Sequence, residues 1–74
     1  MDLPSLQVSA IPPIMAQIQF ASLLGVSKDT VRGWVENRTV PVVKVGKQRF
    51  INVHALMRDL ESDKSIFVKG DYDE

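Results

Sequence analysis

The stretch from Phe20 to Val35 constrains the fold of this chain more than any other segment. Apolar residues at helical spacing run up to Gly25, and Ser27 follows two positions later. Glycine readily takes the left-handed conformation that ends a helix, and a serine side chain accepts a hydrogen bond from a free N–H at the start of the next helix. We therefore expect two helices joined by a very short turn.

The first of these helices is expected to run from about Ala16 to Leu24. Its core-facing side should hold Phe20, Ala21 and Leu24, because these positions share one face of a helix. Ile18 should also be shielded from water, and Val26 should be buried in the turn.

The second helix is expected to span Lys28 to about Asn37, with Val31, Trp34 and Val35 as its buried side. Trp34 shares a face with the two valines, so we interpret it as a core residue rather than one that stacks on a nucleic-acid base. Gly33 lies within this helix, where glycine costs up to about 1 kcal/mol. Either the residue is incidental, or the helix backbone must approach another surface closely there.

Two helices with a short glycine-containing turn are typical of a helix-turn-helix motif, whose second helix enters the major groove of DNA. Lys28, Thr30 and Arg32 lie on positions of the second helix outside its apolar stripe. They are candidate contacts to base edges and phosphates.

A basic hairpin is predicted to follow. Val40-Pro41 favours extended backbone, Val42–Val45 has strand character, Gly46-Lys47 supplies a turn, and the segment 49–51 forms the returning strand. Bases stand near its tip, at Lys44, Lys47 and Arg49. Such a hairpin is either a wing that reaches the phosphate backbone of DNA or an exposed hairpin whose charges keep its edges soluble. Its position after the two helices favours the wing.

Asn52 is a good N-cap for a third helix from Val53 to about Ser62. The apolar side of that helix should hold Leu56, Met57 and Leu60. The tail, residues 63–74, is acidic but contains the apolar triplet Ile66, Phe67 and Val68. This triplet either adds to a sheet edge of its own chain or docks onto a neighbouring subunit, and we favour the second interpretation.

The zero net charge of the chain conceals a strong asymmetry. Residues 25–58 hold seven bases and two acids, a balance of +5, whereas residues 59–74 hold two bases and six acids, a balance of −4. Asp2 is the one charge in residues 1–24, which brings the sum to zero. A basic centre fits a polyanion-binding surface, although ordinary surface charge is an equally good explanation of charge alone.

Residue types suited to catalysis are sparse. The chain has no cysteine and a single histidine, His54, which we expect at the surface in the first turn of the third helix. It has no glycine-rich phosphate loop and no set of nucleophile, base and orienting residue. We therefore expect no enzyme, no bound metal and no cofactor. The longest uncharged run is broken by prolines and polar residues, so we expect no membrane segment either.

Beyond these local patterns, the chain resembles the small MerR-like winged-helix proteins, which include phage excisionases (recombination directionality factors), Cox-type regulators and AlpA-like activators. The resemblance covers about residues 15–61 and combines both motifs at the expected spacing. Its residues are Phe20-Ala21-x-Leu23-Leu24-Gly25-Val26-Ser27-Lys28-Asp29-Thr30-Val31-Arg32-x-Trp34-Val35, then Val40-Pro41-x-Val43-Lys44-Val45-Gly46 and Arg49-x-Ile51.

This resemblance implies a small α+β fold, a winged helix-turn-helix (MerR-like) of three helices with a two-stranded β-hairpin wing. The domain would occupy residues 14–62, between a flexible N-terminal arm (1–13) and an acidic C-terminal tail (63–74) that is a possible oligomerisation segment. Two features depart from the family: Gly33 stands where the recognition helix often carries a second base, and Met15-Ala16 replaces the usual polar cap of the first helix.

The resemblance also implies a role. Several copies would bind repeated sites on double-stranded DNA, associate with one another there, bend the DNA and direct a phage integrase toward excision, in the cytoplasm of a bacterial host and associated with its nucleoid. Contacts to DNA would come from the recognition helix at Ser27, Lys28, Thr30, Arg32 and Gly33, and from the wing and its flank at Arg38, Lys44, Lys47, Gln48 and Arg49.

Three functions are consistent with these features. The first is a phage or prophage excisionase that also acts as a Cox-like transcriptional regulator. The second is a dedicated small prophage repressor or AlpA-like activator. The third is a protein-interaction module that binds an integrase, a repressor or a polymerase rather than DNA, which the acidic tail and the zero net charge favour.

Overall fold

The computed structural model describes residues 11–73, so the predicted arm lies mostly outside the described residues. Within this range the chain forms a small α+β domain of three helices and three strands. In chain order these are β1 (Ile14–Met15), α1 (Gln17–Leu24), α2 (Lys28–Glu36), β2 (Val42–Val45), β3 (Gln48–Asn52) and α3 (Val53–Glu61).

Both predicted strands pair as an antiparallel hairpin, but the sheet has a third strand that the sequence analysis missed. The strand order is β1-β3-β2, with Met15 opposite Ile51 on one edge of β3 and Val42 opposite Ile51 on the other. With two residues directly after Pro12-Pro13, β1 is too short to show the alternation by which strands are recognised. Because β1 covers one edge of β3, the central strand is paired on both sides.

The core lies between α1, α2 and the base of the sheet. Val31, Val35 and Ile51 are its most deeply buried residues. Trp34 is half-buried and packs against this cluster, in agreement with its interpretation as a core residue. The buried cluster consists of Phe20, Ala21, Val31, Val35, Val40, Ile51 and Val53.

Three burial predictions around α1 are wrong. Ile18 is 67% exposed, Leu24 is 53% exposed and Val26 is 36% exposed. Backbone hydrogen bonds close the turn, including one from the Val26 N–H to the Ala21 carbonyl at 3.0 Å, so the turn does not need a buried side chain. Ile18 lies in the first turn of α1, on the side of the β2–β3 hairpin tip rather than of the core.

The predicted apolar side of α3 is also only partly correct. Leu56 is half-buried against the core, but Met57 is 42% and Leu60 is 49% exposed. Leu24 and Leu60 lie on the rim of an open apolar groove of about 390 Å³, which explains their exposure. We call it the apolar groove; it is lined by Phe20, Leu24, Trp34, Thr39, Val40, Leu56, Leu60 and Phe67.

Side-chain caps start two of the helices, as predicted. The Ser27 hydroxyl accepts a hydrogen bond from the Thr30 N–H at 3.1 Å, and the Asn52 side-chain oxygen accepts one from the Ala55 N–H at 3.0 Å. Ala16 stands before α1 without a side-chain cap, which agrees with the missing polar residue there.

All three helices end in the same way, with one residue in the left-handed conformation. At the end of α2 the Arg38 N–H donates to the Val35 carbonyl and the Thr39 N–H to the Trp34 carbonyl. This pair of bonds is the Schellman motif, which favours glycine at the left-handed position. The left-handed residues after α1, α2 and α3 are Gly25 (φ 75°), Arg38 (φ 57°) and Asp63 (φ 71°).

Within residues 11–73, no helix combines the length and the apolar character needed to cross a membrane.

Candidate nucleic-acid interface

The start of α2 is held by a pair of predicted contact residues. Besides capping the helix, the Ser27 hydroxyl lies 2.8 Å from the Thr30 hydroxyl, so the two side chains bond to each other. Both side chains are exposed, and each keeps hydrogen-bonding capacity toward a ligand. The N–H groups at the start of α2 are therefore positioned by local hydrogen bonds within the protein.

The charges of α2 balance one another. Arg32 makes a 3.2 Å ion pair with Asp29, and both side chains are largely exposed. Lys28 and Glu36 supply one further charge of each sign, so the net charge of the helix is zero. The positive excess of the basic centre therefore lies outside this helix.

Gly33 is at the middle of the outward side of α2. It is two residues from both Val31 and Val35, and at about 100° per residue this places it opposite the buried face. A Cβ atom built on Gly33 would meet no atom within 4 Å in residues 11–73, apart from its chain neighbours and the backbone of its own helix. The missing side chain therefore makes room outside the protein, where a partner is able to approach the helix backbone.

The positive excess is concentrated on the β2–β3 hairpin. Lys44 lies directly opposite Arg49 in the antiparallel register, two residues from the core pair of Val42 and Ile51. Because side chains alternate between faces, the face that is apolar at the base of the hairpin becomes basic at its tip. Like charges directly opposite each other in a sheet are destabilising, so an anion that binds between them relieves a repulsion built into the fold.

A side-chain bond fixes this hairpin to α1. The Gln17 Nε2 group donates a 2.9 Å hydrogen bond to the backbone carbonyl of Arg49. No local pattern in the sequence points to Gln17, because its partner lies 32 positions away in the chain. The bond links the basic tip to the helix that packs against α2.

Between α1 and the hairpin tip lies a basic groove of about 520 Å³. The first turn of α1 carries no acidic residue, and the free N–H groups of a helix start attract anions. Three of the predicted cations and Gln48 line the same groove. We call it the hairpin groove; it is lined by Ala16, Gln17, Ile18, Lys44, Lys47, Gln48, Arg49 and Phe50.

Arg38 occupies an unfavourable backbone position. The left-handed conformation costs a residue with a Cβ roughly 1–2 kcal/mol, and glycine at the same place after α1 avoids that cost. The Arg38 side chain lines a cleft with Lys44 and Arg49. An arginine at a position that favours glycine suggests that the charged side chain of Arg38 has a functional role.

Five of the six predicted cations make no ion pair within residues 11–73, whereas two of the three other bases do; the exceptions are Arg32, which pairs with Asp29, and Lys69, which is unpaired. Arg58 pairs with Asp59 at 3.5 Å, and Lys64 pairs with Asp71 at 2.9 Å. Within residues 11–73, by contrast, no ion pair is made by Lys28, Arg38, Lys44, Lys47 or Arg49. The same range holds no group of three or more acidic or histidine side chains placed to bind a metal ion.

The tail turns back onto its own domain. The Gly70 N–H donates to the Asn37 carbonyl at 2.8 Å, and the Tyr72 N–H donates to the Arg38 carbonyl at 2.9 Å. The Tyr72 hydroxyl donates a 2.6 Å hydrogen bond to the Asp59 carboxylate. These contacts carry the end of the chain from α3 to the turn that follows α2.

The apolar triplet of the tail divides between two environments. Phe67 is half-buried and stacks on Tyr72, with ring centres 6.4 Å apart, while the Lys64 ammonium lies 4.8 Å from the Phe67 ring centre. Ile66 is 73% and Val68 is 54% exposed. Docking of this triplet on a second subunit stays a prediction, with two of its three side chains in solvent.

Three groups that hold the tail in place have shifted pKa values: Tyr72, Asp59 and Asp71. Burial and the Asp59 hydrogen bond raise the pKa of Tyr72 to about 12. The hydrogen bond from Tyr72 lowers the pKa of Asp59, and the hydrogen bond from Lys64 lowers that of Asp71. Both carboxylates are therefore ionised at neutral pH.

The comparison with known proteins agrees with this geometry. Residues 19–63, more than half of the chain, match the family described as a helix-turn-helix domain. The chain belongs to the helix-turn-helix domain family. The matched residues contain most of α1, all of α2 and the hairpin, and α3. The second helix of the matched helix-turn-helix motif is α2.

A relative of this helix-turn-helix domain is a phage protein. The 10.1 kDa protein of Pseudomonas phage Pf1 is 48% identical over 64 residues, which cover 82% of this chain and 71% of that protein. No solved structure matches the chain. Membership of the family supports DNA binding, and the relative supports a phage-type protein.

Proposed function

We propose that this chain is an architectural DNA-binding protein of a phage or prophage, which recognises its sites through α2 and grips the flanking phosphates through the β2–β3 hairpin. In this role the hairpin is the wing of a MerR-like winged helix. Base contacts come from the exposed side of α2, around Gly33, and the four cations from Arg38 to Arg49 position the protein on the backbone.

The cation arrangement of the hairpin carries this proposal. Lys44 and Arg49 oppose each other without an acidic partner in residues 11–73, and Lys47 and Arg38 stand nearby in the same two basic depressions. Arg58 and Lys64 pair with acids, and although Lys69 on the tail is also unpaired within residues 11–73, it does not oppose a second base across a strand pair. Phosphate groups of DNA supply the missing negative charge.

The specific role that we propose is that of an excisionase. Several copies occupy repeated sites, bend the DNA and direct an integrase toward excision, and the same protein regulates phage promoters in the manner of Cox-type proteins. This activity belongs to the bacterial cytoplasm, at the nucleoid. The phage relative and the helix-turn-helix family support this role, which they share with a dedicated small prophage repressor or activator.

Self-association on DNA is part of the proposal. Ile66 and Val68 are exposed on the tail, beside the half-buried Phe67. Neighbouring copies on tandem sites would cover these side chains and make binding cooperative. Replacing Ile66 with Asp should then abolish cooperativity on tandem sites while leaving affinity for a single site unchanged.

A gel-shift titration tests the main proposal. The DNA would span a phage attachment site and the adjacent early promoters, and the titration would be repeated at two salt concentrations. Cooperative shifts that weaken with salt, with a slope of log affinity against log salt of about −4 to −5, are expected for four to six neutralised phosphates. Protection at the attachment site favours excision, and protection at the promoters favours transcriptional control.

A second candidate is a protein-interaction module, which the apolar groove favours. Its lining is almost entirely apolar, and Leu24 and Leu60 on its rim are half exposed. In that case Lys28→Ala and Arg32→Ala would leave function intact. DNA binding, by contrast, predicts that both substitutions weaken the complex.

A further inference from the structure

The acidic tail faces some of the cations that are proposed to hold DNA across a shared depression. This second depression, of about 440 Å³, lies between the hairpin and residues 72–73. We call it the tail cleft; it is lined by Arg38, Val42, Lys44, Arg49, Tyr72 and Asp73. Three cations therefore share one cleft with a tail carboxylate.

Hydrogen bonds of the Tyr72 backbone and side chain, rather than attraction to the cations of the cleft, place residues 72–73 there. The Tyr72 N–H bonds to the carbonyl of Arg38, and the Tyr72 hydroxyl bonds to Asp59 on α3. The Asp73 N–H bonds to the Gly70 carbonyl at 3.1 Å, which closes a turn at the end of the described chain. The position of Asp73 therefore does not depend on an ion pair with the cleft.

The two acids of this segment are in different situations. The Asp71 carboxylate accepts hydrogen bonds from the Lys64 ammonium at 2.9 Å and from the Val68 N–H at 3.0 Å. Asp73 makes no ion pair within residues 11–73 and lines the cleft. Its negative charge is thus available to the cations of the cleft.

We propose that the tail is a built-in competitor for DNA phosphate, with Asp73 as the competing group at the tail cleft. A guanidinium or an ammonium binds a carboxylate and a phosphate by the same charge-assisted hydrogen bonds, so a fixed carboxylate lowers the gain from a phosphate contact. Weakly held, non-specific DNA is then disfavoured most, because its binding depends almost entirely on phosphates. This inference rests on the proposed DNA binding.

The test compares two variants of equal net charge. Asp73→Asn and Asp63→Asn each remove one negative charge, and asparagine tolerates the left-handed conformation of residue 63. Affinity for a duplex of arbitrary sequence would be measured by fluorescence anisotropy with the full chain at low and moderate salt. We expect Asp73→Asn to tighten binding by up to about fivefold at low salt, the upper end of the range for exposed charge pairs. Asp63→Asn should change it much less.

A third variant tests the role of the tail anchor. Tyr72→Phe removes the hydrogen bond to Asp59 and loosens the tail, so it should also tighten DNA binding. In the Asp73→Asn background it should add no further gain, because the competing charge is already gone. Thermal unfolding of each variant, followed by the fluorescence of Trp34, establishes that the fold is retained.

The outcomes separate the two proposals. Equal gains for Asp73→Asn and Asp63→Asn, or no gain for either, would overturn the tail inference while leaving DNA binding in place. If Tyr72→Phe tightens DNA binding further in the Asp73→Asn background, the tail inference is also overturned. If neither the parent protein nor the variants bind the duplex, the proposed function itself fails.

Discussion

Lys44 and Arg49 face each other directly across the β2–β3 hairpin, and both residues line the hairpin groove and the tail cleft. Their mutual repulsion opposes folding, because like charges in a cross-strand pair destabilise a sheet. Such a pair is favourable only when a bound anion lies between or beside the charges. Folding stability and DNA affinity should therefore respond in opposite directions when one of these charges is removed.

Lys44→Gln tests this opposition. The substitution keeps a long side chain and removes the charge, so we expect a melting temperature equal to or slightly above that of the parent protein, with a gain within the range of about 0.2–1 kcal/mol for cross-strand pairs. DNA affinity should fall, and the slope of log affinity against log salt should shrink by about one, as expected for one lost phosphate contact.

Arg58→Gln is the matched control for that experiment. Arg58 is a base of the same central segment but pairs with Asp59 on α3. We expect its loss to leave the salt slope unchanged. An unchanged slope for Lys44→Gln as well would show that the hairpin charges do not contact phosphate.

The left-handed residue after α2 yields a second prediction. Arg38→Gly removes the strain of a Cβ at φ 57° and should stabilise the fold by up to about 1 kcal/mol, after the greater flexibility of glycine in the unfolded chain is offset. The same change removes a cation of the tail cleft, so DNA affinity should decrease although the protein becomes more stable. Urea unfolding and gel-shift titration of the same preparation would measure both effects.

Asp63→Gly is the control for Arg38→Gly. Residue 63 has the same conformation at the end of α3, with φ 71°, and lies outside the proposed interface. It should gain similar stability without losing DNA affinity. Parent-like DNA binding by both variants would contradict a role for the Arg38 side chain.

Much of the fold was predictable because its signals are local. Gly25 and Ser27 define the turn, and Asn52 starts the last helix, through hydrogen bonds between residues close in sequence. The register of the hairpin follows from its turn at Gly46. These features need no knowledge of the rest of the chain.

Long-range contacts explain what the sequence did not reveal. The bond from Gln17 to the Arg49 carbonyl and that from Tyr72 to Asp59 join residues far apart in the chain. The strand β1 forms only because β3 offers it an edge. The exposure of Leu24 and Leu60 likewise depends on which elements meet, and helical periodicity reports only that they share faces with core residues.

The site differs in one physical respect from its sequence prediction. The sequence predicts a basic centre shared by the recognition helix and the wing, whereas in the structure the charges of α2 cancel and Arg32 pairs with Asp29. The hairpin and Arg38 therefore hold four of the five positive charges in excess between residues 25 and 58. Periodicity shows which residues are outward, but not which of them neutralise each other.

Tyr72 permits a direct measurement of tail docking, because it is the single tyrosine of the chain. Burial and its bond to Asp59 raise its pKa to about 12, from an ordinary value of 10.0. Ultraviolet titration of the native protein should therefore show a midpoint near pH 12, and titration in denaturant should show one near 10. A native midpoint near 10 would contradict the docked tail.

The raised pKa of Tyr72 also sets the sign of a stability effect. The folded state holds the phenol proton more tightly than the unfolded state, so this contribution to stability is fully present below pH 10 and is lost as the pH rises from 10 to about 12. The Tyr72→Phe variant should lack this loss. Unfolding followed by Trp34 fluorescence between pH 9 and 12 compares the two proteins, and identical pH profiles would oppose the assignment.

Gly33→Ala distinguishes an incidental glycine from one required for close approach. Alanine in a helix interior is favoured over glycine by about 1 kcal/mol, and the added Cβ meets no atom within 4 Å in residues 11–73, so the variant should be more stable. If α2 lies deep in the major groove, the methyl group at the centre of its outward face should weaken specific binding about tenfold or more, a cost of roughly 1.4 kcal/mol. Affinity for non-specific DNA, which depends on the hairpin cations, should change little.

Gel-shift titration of the Gly33→Ala variant on specific and arbitrary duplexes makes the comparison. A variant that is more stable but binds its specific site with unchanged affinity would place the deepest contact elsewhere on α2.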